Sequence, residues 1–213
     1  MADLRRSTEV RQVELTDAAL HIIATRGIAA LSTRSLAEQV GLSSGAIFRH
    51  FASIDALIDA VVARVESVME STFPPNELPP RERLERFVEA QSTAVGGQIG
   101  IMHLMLSEQF LLALSEGGSA RLAACAQKTR EFVRACLREG QTAGEFRSDI
   151  DAGALVVVVM GTIQMLALSA ANRRQIGTDP QSVRDALGVL LRPPPPVVPQ
   201  STRAKGSRGR QSP

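Results

Sequence analysis

The sequence has no tryptophan, no tyrosine and only two cysteines among its 213 residues. Because tryptophan and tyrosine offer the best ring faces for a cation, an aromatic cage for a cationic ligand is disfavoured. Cys125 and Cys136 fall within one helical pattern, about 16 Å apart at the rise of an α-helix, so they cannot bond to each other within that helix. We interpret both as core residues, with redox sensing or an intersubunit disulfide as the alternative.

Patterns that would indicate catalysis or metal binding are also missing. The three histidines, His21, His50 and His103, are far apart and lack the spacing of metal ligands. The sequence contains no phosphate-binding loop, no dinucleotide fingerprint and no nucleophile elbow. We therefore expect no cofactor and no metal site, and an enzyme is poorly supported.

Long apolar runs and a strong charge of one sign are missing as well. The longest run, Ala154 to Met160, falls well short of the roughly 20 apolar residues that a membrane-spanning helix needs, and the N-terminus lacks the apolar region of a signal peptide. With 24 basic and 22 acidic residues, any affinity for DNA must come from a local surface. We predict a globular cytoplasmic protein of one domain, or two small ones, that makes no membrane contact.

Two short helical patterns, Thr33 to Val40 and Ser44 to Phe51, are separated by a three-residue turn. Gly41 falls at a position that favours a positive φ, and Ser43 can cap the second helix. This arrangement is typical of a helix-turn-helix unit, whose second helix enters a DNA groove. A helical hairpin that packs in a core and binds no nucleic acid is the alternative.

The residues around this unit resemble the TetR family of bacterial transcriptional regulators over roughly the first quarter of the chain. The matching positions are Arg11, Ala18-Ala19, Arg26 to Ile28, Leu31 to Ala37, Val40 to Ser43, Gly45 to Phe51 and Leu57. The resemblance implies an all-α fold of about nine helices. A three-helix DNA-binding domain at the N-terminus would be followed by a helical domain for ligand binding and dimerisation.

The pattern of apolar residues, prolines and glycines divides the chain accordingly. We predict a helix-turn-helix DNA-binding domain over 1–52, an effector-binding and dimerisation domain over 53–192 that starts with a connecting helix over 53–72, and a disordered, basic, Pro-rich tail over 193–213. The predicted helices outside the helix-turn-helix are Thr8 to Thr25, Ile54 to Thr72, Pro80 to Val95, Ile99 to Ser115, Ser119 to Glu139, Asp151 to Asn172 and Asp179 to Leu191.

The last two helices are the predicted homodimer interface. The helix that begins near Asp151 is apolar nearly all round, which is typical of a buried helix. Two such helices from each subunit would make a four-helix bundle, as the family resemblance also implies. The alternative is that they only close the core of one subunit.

The resemblance also assigns a DNA-binding surface, residue by residue. Thr33 and Arg34 would touch the DNA backbone, and the remaining candidates are Ser43, Ser44, Gly45, Ala46, Phe48, Arg49 and His50. Two positions depart from the family pattern, because Phe48 stands where tyrosine is usual and Ile54 where lysine is usual. Each change removes a phosphate donor, so we expect either a lower affinity for DNA or a greater dependence on Arg34, Arg49 and the N-terminal arm.

The middle helices carry flexible apolar residues that could line a pocket for a small apolar effector. The candidates are Met102, His103, Met105, Phe110, Met160 and Gln164, and core packing is the alternative for each. We predict a repressor that this effector releases from a palindromic double-stranded operator. Two rivals remain open, namely a DNA-binding architectural or partner-controlled protein without an effector and, with less support, a helical enzyme that uses His103 and Glu108.

Overall fold

The computed structural model describes residues 8–97, 101–171, 177 and 179–195, apart from the side chains of 95–97, 102, 103, 106, 170 and 171. Within these residues every regular element is a helix, which confirms the predicted all-α class. The elements are α1 (Thr8–Arg26), a 3₁₀ turn (Ile28–Ala30), α2 (Thr33–Val40), α3 (Ser44–Ile47), α4 (Ile54–Glu70), α5 (Pro80–Gly97), α6 (Ile101–Leu106), α7 (Glu108–Ala113), α8 (Glu116–Thr142), α9 (Ala152–Ala171) and α10 (Pro180–Leu191). The predicted tail beyond residue 195 and the first seven residues lie outside this description.

The turns between α1, α2 and α3 follow from their sequence. Ser32 and Ser35 form a reciprocal cap at the start of α2, in which each backbone N–H donates to the other side chain at 3.0 and 3.1 Å. Gly27 and Gly41 have φ angles of 81° and 69°, a region that glycine enters at little cost. The predicted bounds of α2 are therefore confirmed.

The predicted recognition helix, Ser44 to Phe51, is wrong at its C-terminal end. α3 ends at Ile47, and residues 48–50 form turns in which the N–H of His50 donates to the carbonyl of Ile47 at 2.9 Å. Hydrogen bonds between residues three positions apart commonly tighten the last turn of a helix. Phe48 and Arg49 consequently lie on the turns that follow α3.

The predicted helix Ile99 to Ser115 is also wrong, because the chain forms two helices there. Ser107 divides them, and its hydroxyl accepts the N–H of Phe110 at 3.2 Å, which caps α7. Gly117 and Gly118, predicted to interrupt the helical pattern, instead lie in the first turn of α8, where Ser115 accepts the N–H of Gly118 at 3.1 Å. The described chain therefore has ten α-helices.

Two clusters of buried apolar residues form the core. The first is built from α1 to α4 and continues into α6, Phe110 of α7, Leu122 of α8 and Ala167 of α9. The second joins α5, α8, α9 and α10. Because α4 supplies six buried side chains to the first cluster and also packs on α5 and α8, it connects the helix-turn-helix to the rest of the chain.

Helix α9 is more apolar than the sequence analysis allowed for. Residues 152–169 have a mean hydropathy of 2.0, so by length and composition alone this helix is long and apolar enough to cross a membrane. The prediction that no segment of the chain reaches this length and hydropathy was therefore wrong. Leu155, Val159 and Ile163 are buried in the second cluster, as in a core helix. Only 39% of this stretch is buried within the chain, so much of an apolar helix surface is left uncovered.

Candidate DNA-binding surface and effector site

The predicted DNA-binding residues lie at the start of α2, in the turn before α3, and along α3 and the turns after it. Arg34, Ser43, Ser44, Gly45, Phe48 and Arg49 are exposed, whereas Thr33, Ala46 and His50 are half-buried. Phe48 is 54% exposed, which is unusual for so large an apolar ring. On the opposite side, Leu36, Ala37 and Ile47 are buried in the first apolar cluster. The unit therefore has one face in the core and one face open to a partner.

Helix α1 supports α3 through a side chain that the sequence analysis missed. The Nε2 of Gln12 donates to the carbonyl of His50 at 2.9 Å, just after α3. The carbonyl of Gln12 in turn accepts the hydroxyl of Thr16 at 2.8 Å. Gln12 lies one turn before the buried Leu15 and Thr16. Its position, as a polar residue at the edge of a buried stripe, could have indicated a contact with another element.

The two arginines assigned to the DNA backbone differ in their surroundings. Arg34 Nε lies 3.1 Å from Glu38 Oε1, with 87% and 66% of the two side chains exposed. An ion pair this exposed contributes about 1 kcal/mol or less, so Arg34 can exchange it for a phosphate at little cost. Arg49 is exposed, and none of the ion pairs found within the described ranges includes it.

Gly45 has room for a side chain within the folded chain. A Cβ built at this position meets no heavy atom within 4 Å. Internal packing therefore does not require glycine here, whereas a missing side chain does allow the backbone at the start of α3 to approach a partner closely.

Helix α4 is held to α1 on one side and to α8 on the other. Arg64 Nε lies 3.1 Å from Asp17 Oδ1 of α1. Toward α8, Arg121 pairs with Glu66 through two nitrogens, and this hydrogen bonding raises the pKa of Arg121. These pairs connect the helix that follows the DNA-binding unit to both parts of the chain.

An aromatic cluster anchors the segment just after α4. The ring of Phe73 lies 5.2 Å from those of Phe87 in α5 and Phe132 in α8, and the latter two lie 4.7 Å apart. Lys128 of α8 places its Nζ 4.8 Å above the ring of Phe73 and also contacts both oxygens of Glu70 at 2.6 and 2.7 Å. Any shift between α5 and α8 therefore acts directly on the end of α4.

The predicted effector residues are distributed over two regions. The side chains of Met102 and His103 lie outside the description. Met105 is half-buried against the first cluster, and Phe110 is fully buried within it. Met160 is half-buried against the second cluster, and Gln164 is half-buried on α9.

A cavity of about 530 Å³ lies elsewhere, between α5 and α10. Its walls carry Arg81, Arg184, Glu85 and Asp185, with the ring of Phe146 among its apolar lining. The predicted effector residues that the structure describes lie outside this lining. Charged side chains of both helices line this groove beside apolar ones such as Leu84 and Leu187, whereas the predicted effector residues include no arginine, aspartate or glutamate.

Two polar side chains are deeply buried between α5 and α8. Gln91 and Thr129 are each 2% exposed. The Nε2 of Gln91 and the Oγ1 of Thr129 have no hydrogen-bond partner in the part of the chain that the structure describes. The sequence analysis missed both residues, because neither carries a local pattern that sets it apart.

The remaining candidates for chemistry are isolated. Among the described residues, no group of three or more His, Cys, Asp or Glu side chains could hold a metal ion. Both cysteines are free; Cys125 is half-buried and Cys136 is buried. Burial raises the pKa of Cys136 to about 11, so its thiol stays protonated at neutral pH and is a poor nucleophile.

Two family models match consecutive parts of the chain. The model of bacterial regulatory proteins of the tetR family matches residues 15–61, and the model of the tetracyclin repressor-like C-terminal domain matches residues 77–168. The second match extends the likeness well beyond the first quarter of the chain.

Curated relatives and solved structures agree with these models. The HTH-type transcriptional repressor KstR2 of Rhodococcus jostii (strain RHA1) is 28% identical over 152 residues, which covers 66% of this chain and 70% of the relative. The HTH-type transcriptional regulator SrpR of Pseudomonas putida is 26% identical over 197 residues, covering 88% and 87%. AibR, solved with isovaleryl coenzyme A and operator DNA, has the same fold with a TM-score of 0.70 at 17% identity, over 86% of this chain and 99% of that one.

Proposed function

Because the chain belongs to the TetR family of bacterial transcriptional regulators, we propose that it is a homodimeric repressor that a small apolar effector releases from a palindromic operator. The chain is a DNA-binding transcriptional regulator, and the relatives that it matches are regulators and not enzymes. The observation that carries the proposal is the helix-turn-helix, which buries one face and leaves the other open. We further propose that it acts in the cytoplasm and catalyses no reaction.

The proposed DNA contacts are the nine residues that the resemblance assigned. The exposed small side chains at the start of α3, Ser44 and Gly45, would enter a major groove, with Phe48 against the bases or the groove wall. Arg34 and Arg49 would neutralise phosphates, because Phe48 and Ile54 stand where the family usually has phosphate donors. Gln12 would position this surface through its hydrogen bond to His50.

The proposed dimer interface is the uncovered face of α9 together with α10. Val157, Val158 and Met165 of α9 are 72%, 46% and 52% exposed, and Val189 and Leu190 of α10 are 59% and 56% exposed. Covering the exposed part of each such side chain contributes about 1–2 kcal/mol before the entropic cost of association. A second copy of the chain would cover this face in a four-helix bundle, and we favour that occupant over a membrane because α10 is amphipathic.

A stripe of residues along α9 supports a close approach of the two copies. Its members are exposed or half-buried and alternate at spacings of four and three residues, namely Ala154, Val158, Gly161, Met165 and Leu168. This heptad spacing keeps one side of a helix toward a partner helix. A Cβ built at Gly161, in the middle of the stripe, meets nothing within 4 Å in the single chain. The space beside Gly161 is therefore available to the partner's helix.

We propose that residues 1–52 bind DNA and that residues 53–192 bind the effector and form the dimer. AibR is a regulator of the same fold that was solved with both a small molecule and operator DNA. In this chain, α4 is attached to α1 and to α8, and the aromatic cluster of Phe73, Phe87 and Phe132 holds its end. An effector that binds one arrangement of α5 and α8 better than another would shift the populations of two dimer geometries.

The direct test is selection of duplexes by the full-length chain from a random-sequence library, followed by competition with small apolar compounds. We expect a palindromic consensus and loss of binding on addition of at least one compound class. Recovery of no consensus would contradict the operator. A consensus whose binding no compound changes would instead favour the effector-independent rival.

A further inference from the structure

Helices α5 and α8 run antiparallel, and two contacts fix their alignment. Near the start of α5, Arg83 pairs with Glu139 near the end of α8. One turn further along α5, the ring of Phe87 lies 4.7 Å from that of Phe132, which is two turns earlier in α8. Positions that lie one more turn inward on both helices therefore face each other.

Gln91 and Thr129 occupy those positions. Gln91 follows Phe87 by four residues, and Thr129 precedes Phe132 by three, so each is stacked on one ring of the aromatic pair along its own helix. Both are 2% exposed, and Gln91 Nε2 and Thr129 Oγ1 have no hydrogen-bond partner in the described chain. A buried amide and a buried hydroxyl, which are not hydrogen-bonded to each other, thus lie at the same level of the two helices.

Such groups are costly to keep. Burial removes their hydrogen bonds to water, and a group that gains no partner in return lowers the stability of the fold. Leucine and valine would fill nearly the same volumes without this cost. The buried hydroxyl of Ser92, the next residue of α5, is satisfied by contrast, since it donates to the carbonyl of Glu89 at 3.0 Å.

We propose that Gln91 and Thr129 form the polar anchor of the effector site and bind an uncharged oxygen on an otherwise apolar molecule. This inference rests on the proposed function, because it gives the effector a place and a chemical class. The amide nitrogen can only donate, whereas the hydroxyl can donate or accept, so one carbonyl or hydroxyl oxygen satisfies both.

The surroundings argue against a charged ligand group at this point. The charged neighbours along the two helices, Glu89, Lys128 and Arg130, are exposed, and Lys128 is already paired with Glu70. A carboxylate buried beside Gln91 would have no cation to compensate it. A ketone, an ester or an alcohol offers the uncharged oxygen that these two groups require.

The first test measures the ligand-free protein by calorimetric melting. Thr129→Val and Gln91→Leu should each raise Tm by about 2–4 °C, because each removes a buried group without a partner. The matched control is Thr72→Val, since Thr72 is also buried (3% exposed) but its hydroxyl donates to the carbonyl of Met69 at 2.6 Å. That control should lower Tm. A fall in Tm for Thr129→Val like that of the control would overturn the proposal, because it would mean that the hydroxyl is already bonded.

The second test titrates the full-length protein with straight-chain 2-alkanones of about six to twelve carbon atoms, a size range that suits small-molecule pockets. The matching alkanes and carboxylates serve as controls. We expect the ketone of best length to bind the wild type about tenfold more tightly than either variant, with no such difference for the alkane. Equal affinity of wild type and variants, tighter binding of the carboxylates, or no binding by the whole ketone series would overturn the anchor.

These readouts are independent of DNA. If the chain bound no operator, the proposed function would fail while the melting and ketone results still decided the anchor.

Discussion

The N-terminal and C-terminal parts of this molecule carry their functional polar residues in opposite ways. In the helix-turn-helix these residues are adjacent in the chain and exposed, as in Arg34, whose side chain is 87% exposed. In the C-terminal part they come from separate helices, α5 and α8, and are buried, as in Gln91 and Thr129 at 2%. An exposed surface can meet a polymer from outside, whereas buried polar groups can only meet a molecule that the protein encloses. We therefore propose that DNA binding belongs to the first part and effector sensing to the second.

The largest change in operator affinity should come from breaking the dimer. This change tests whether the helix-turn-helix of a single chain is enough to bind the operator. Gly161→Leu should leave each chain folded, because a Cβ there meets nothing within 4 Å, but it should separate the two copies. Operator affinity should then fall about 100-fold or more, since two linked helix-turn-helix units become a single one. Sedimentation equilibrium and gel-shift titration measure the two quantities.

Ala124→Leu, at an exposed position of α8, is the matched control and should change neither quantity. A dimer of normal affinity in Gly161→Leu would refute the α9 interface.

The next effect should come from Arg49→Ala. Removal of a phosphate or base interaction from each subunit should weaken operator binding about 10- to 100-fold and reduce the salt slope by about one for each phosphate that is no longer neutralised. Arg138→Ala, which removes an exposed arginine of α8, should alter neither. Unchanged affinity and slope for Arg49→Ala would remove Arg49 from the DNA surface.

A smaller effect is expected for Gly45→Ala. The substitution meets no atom of the protein and favours the helix, so the free energy of unfolding should not fall. If α3 approaches the duplex closely, the added methyl group should weaken operator binding by up to about tenfold, or 1.4 kcal/mol. Gly117→Ala, at the open start of α8, is the control. An operator affinity equal to that of the control would show that the backbone at Gly45 stays away from the DNA.

The smallest effect should come from the connection between the two parts. Lys128→Gln removes an exposed pair with Glu70, so stability should change by less than about 1 kcal/mol. The effector concentration for half-release should nevertheless shift about twofold, or roughly 0.5 kcal/mol of coupling. Lys128→Arg keeps the charge and should behave as the wild type. A release curve that coincides for all three proteins would exclude this pair from the coupling.

The same contrast explains what could be predicted from the sequence. The bounds of α2 and the turn at Gly41 follow from local rules, because a serine cap and a positive φ leave a visible pattern in a few residues. The early end of α3 was missed, because the apolar spacing of Ile47 and Phe51 fits a longer helix, and the bond from Gln12 to His50 was missed because it joins residues far apart in the chain. The break between α6 and α7 was missed as well, because the apolar pattern continues through Ser107, the residue that caps α7.

The interior could be predicted far less well. Phe110, proposed as a pocket residue, packs fully buried beside the helix-turn-helix, because α6 packs on α1 and α7 packs on the 3₁₀ turn. Gln91 and Thr129 meet only when α5 and α8 are aligned, and a sequence without that alignment gives neither residue a distinguishing feature. The interface on α9 and α10 stays a prediction, and the exposed fraction of α9 became known only from the packing.

The central claim is that two copies of this chain read one operator through α3. Hydroxyl-radical footprinting of the selected duplex, with the number of bound chains measured by analytical centrifugation, tests it most directly. We expect chains bound in pairs and two symmetric protected half-sites, with centres one DNA turn of about 34–36 Å apart or a multiple of it. Protection of a single half-site by one chain, or protection without symmetry, would contradict it.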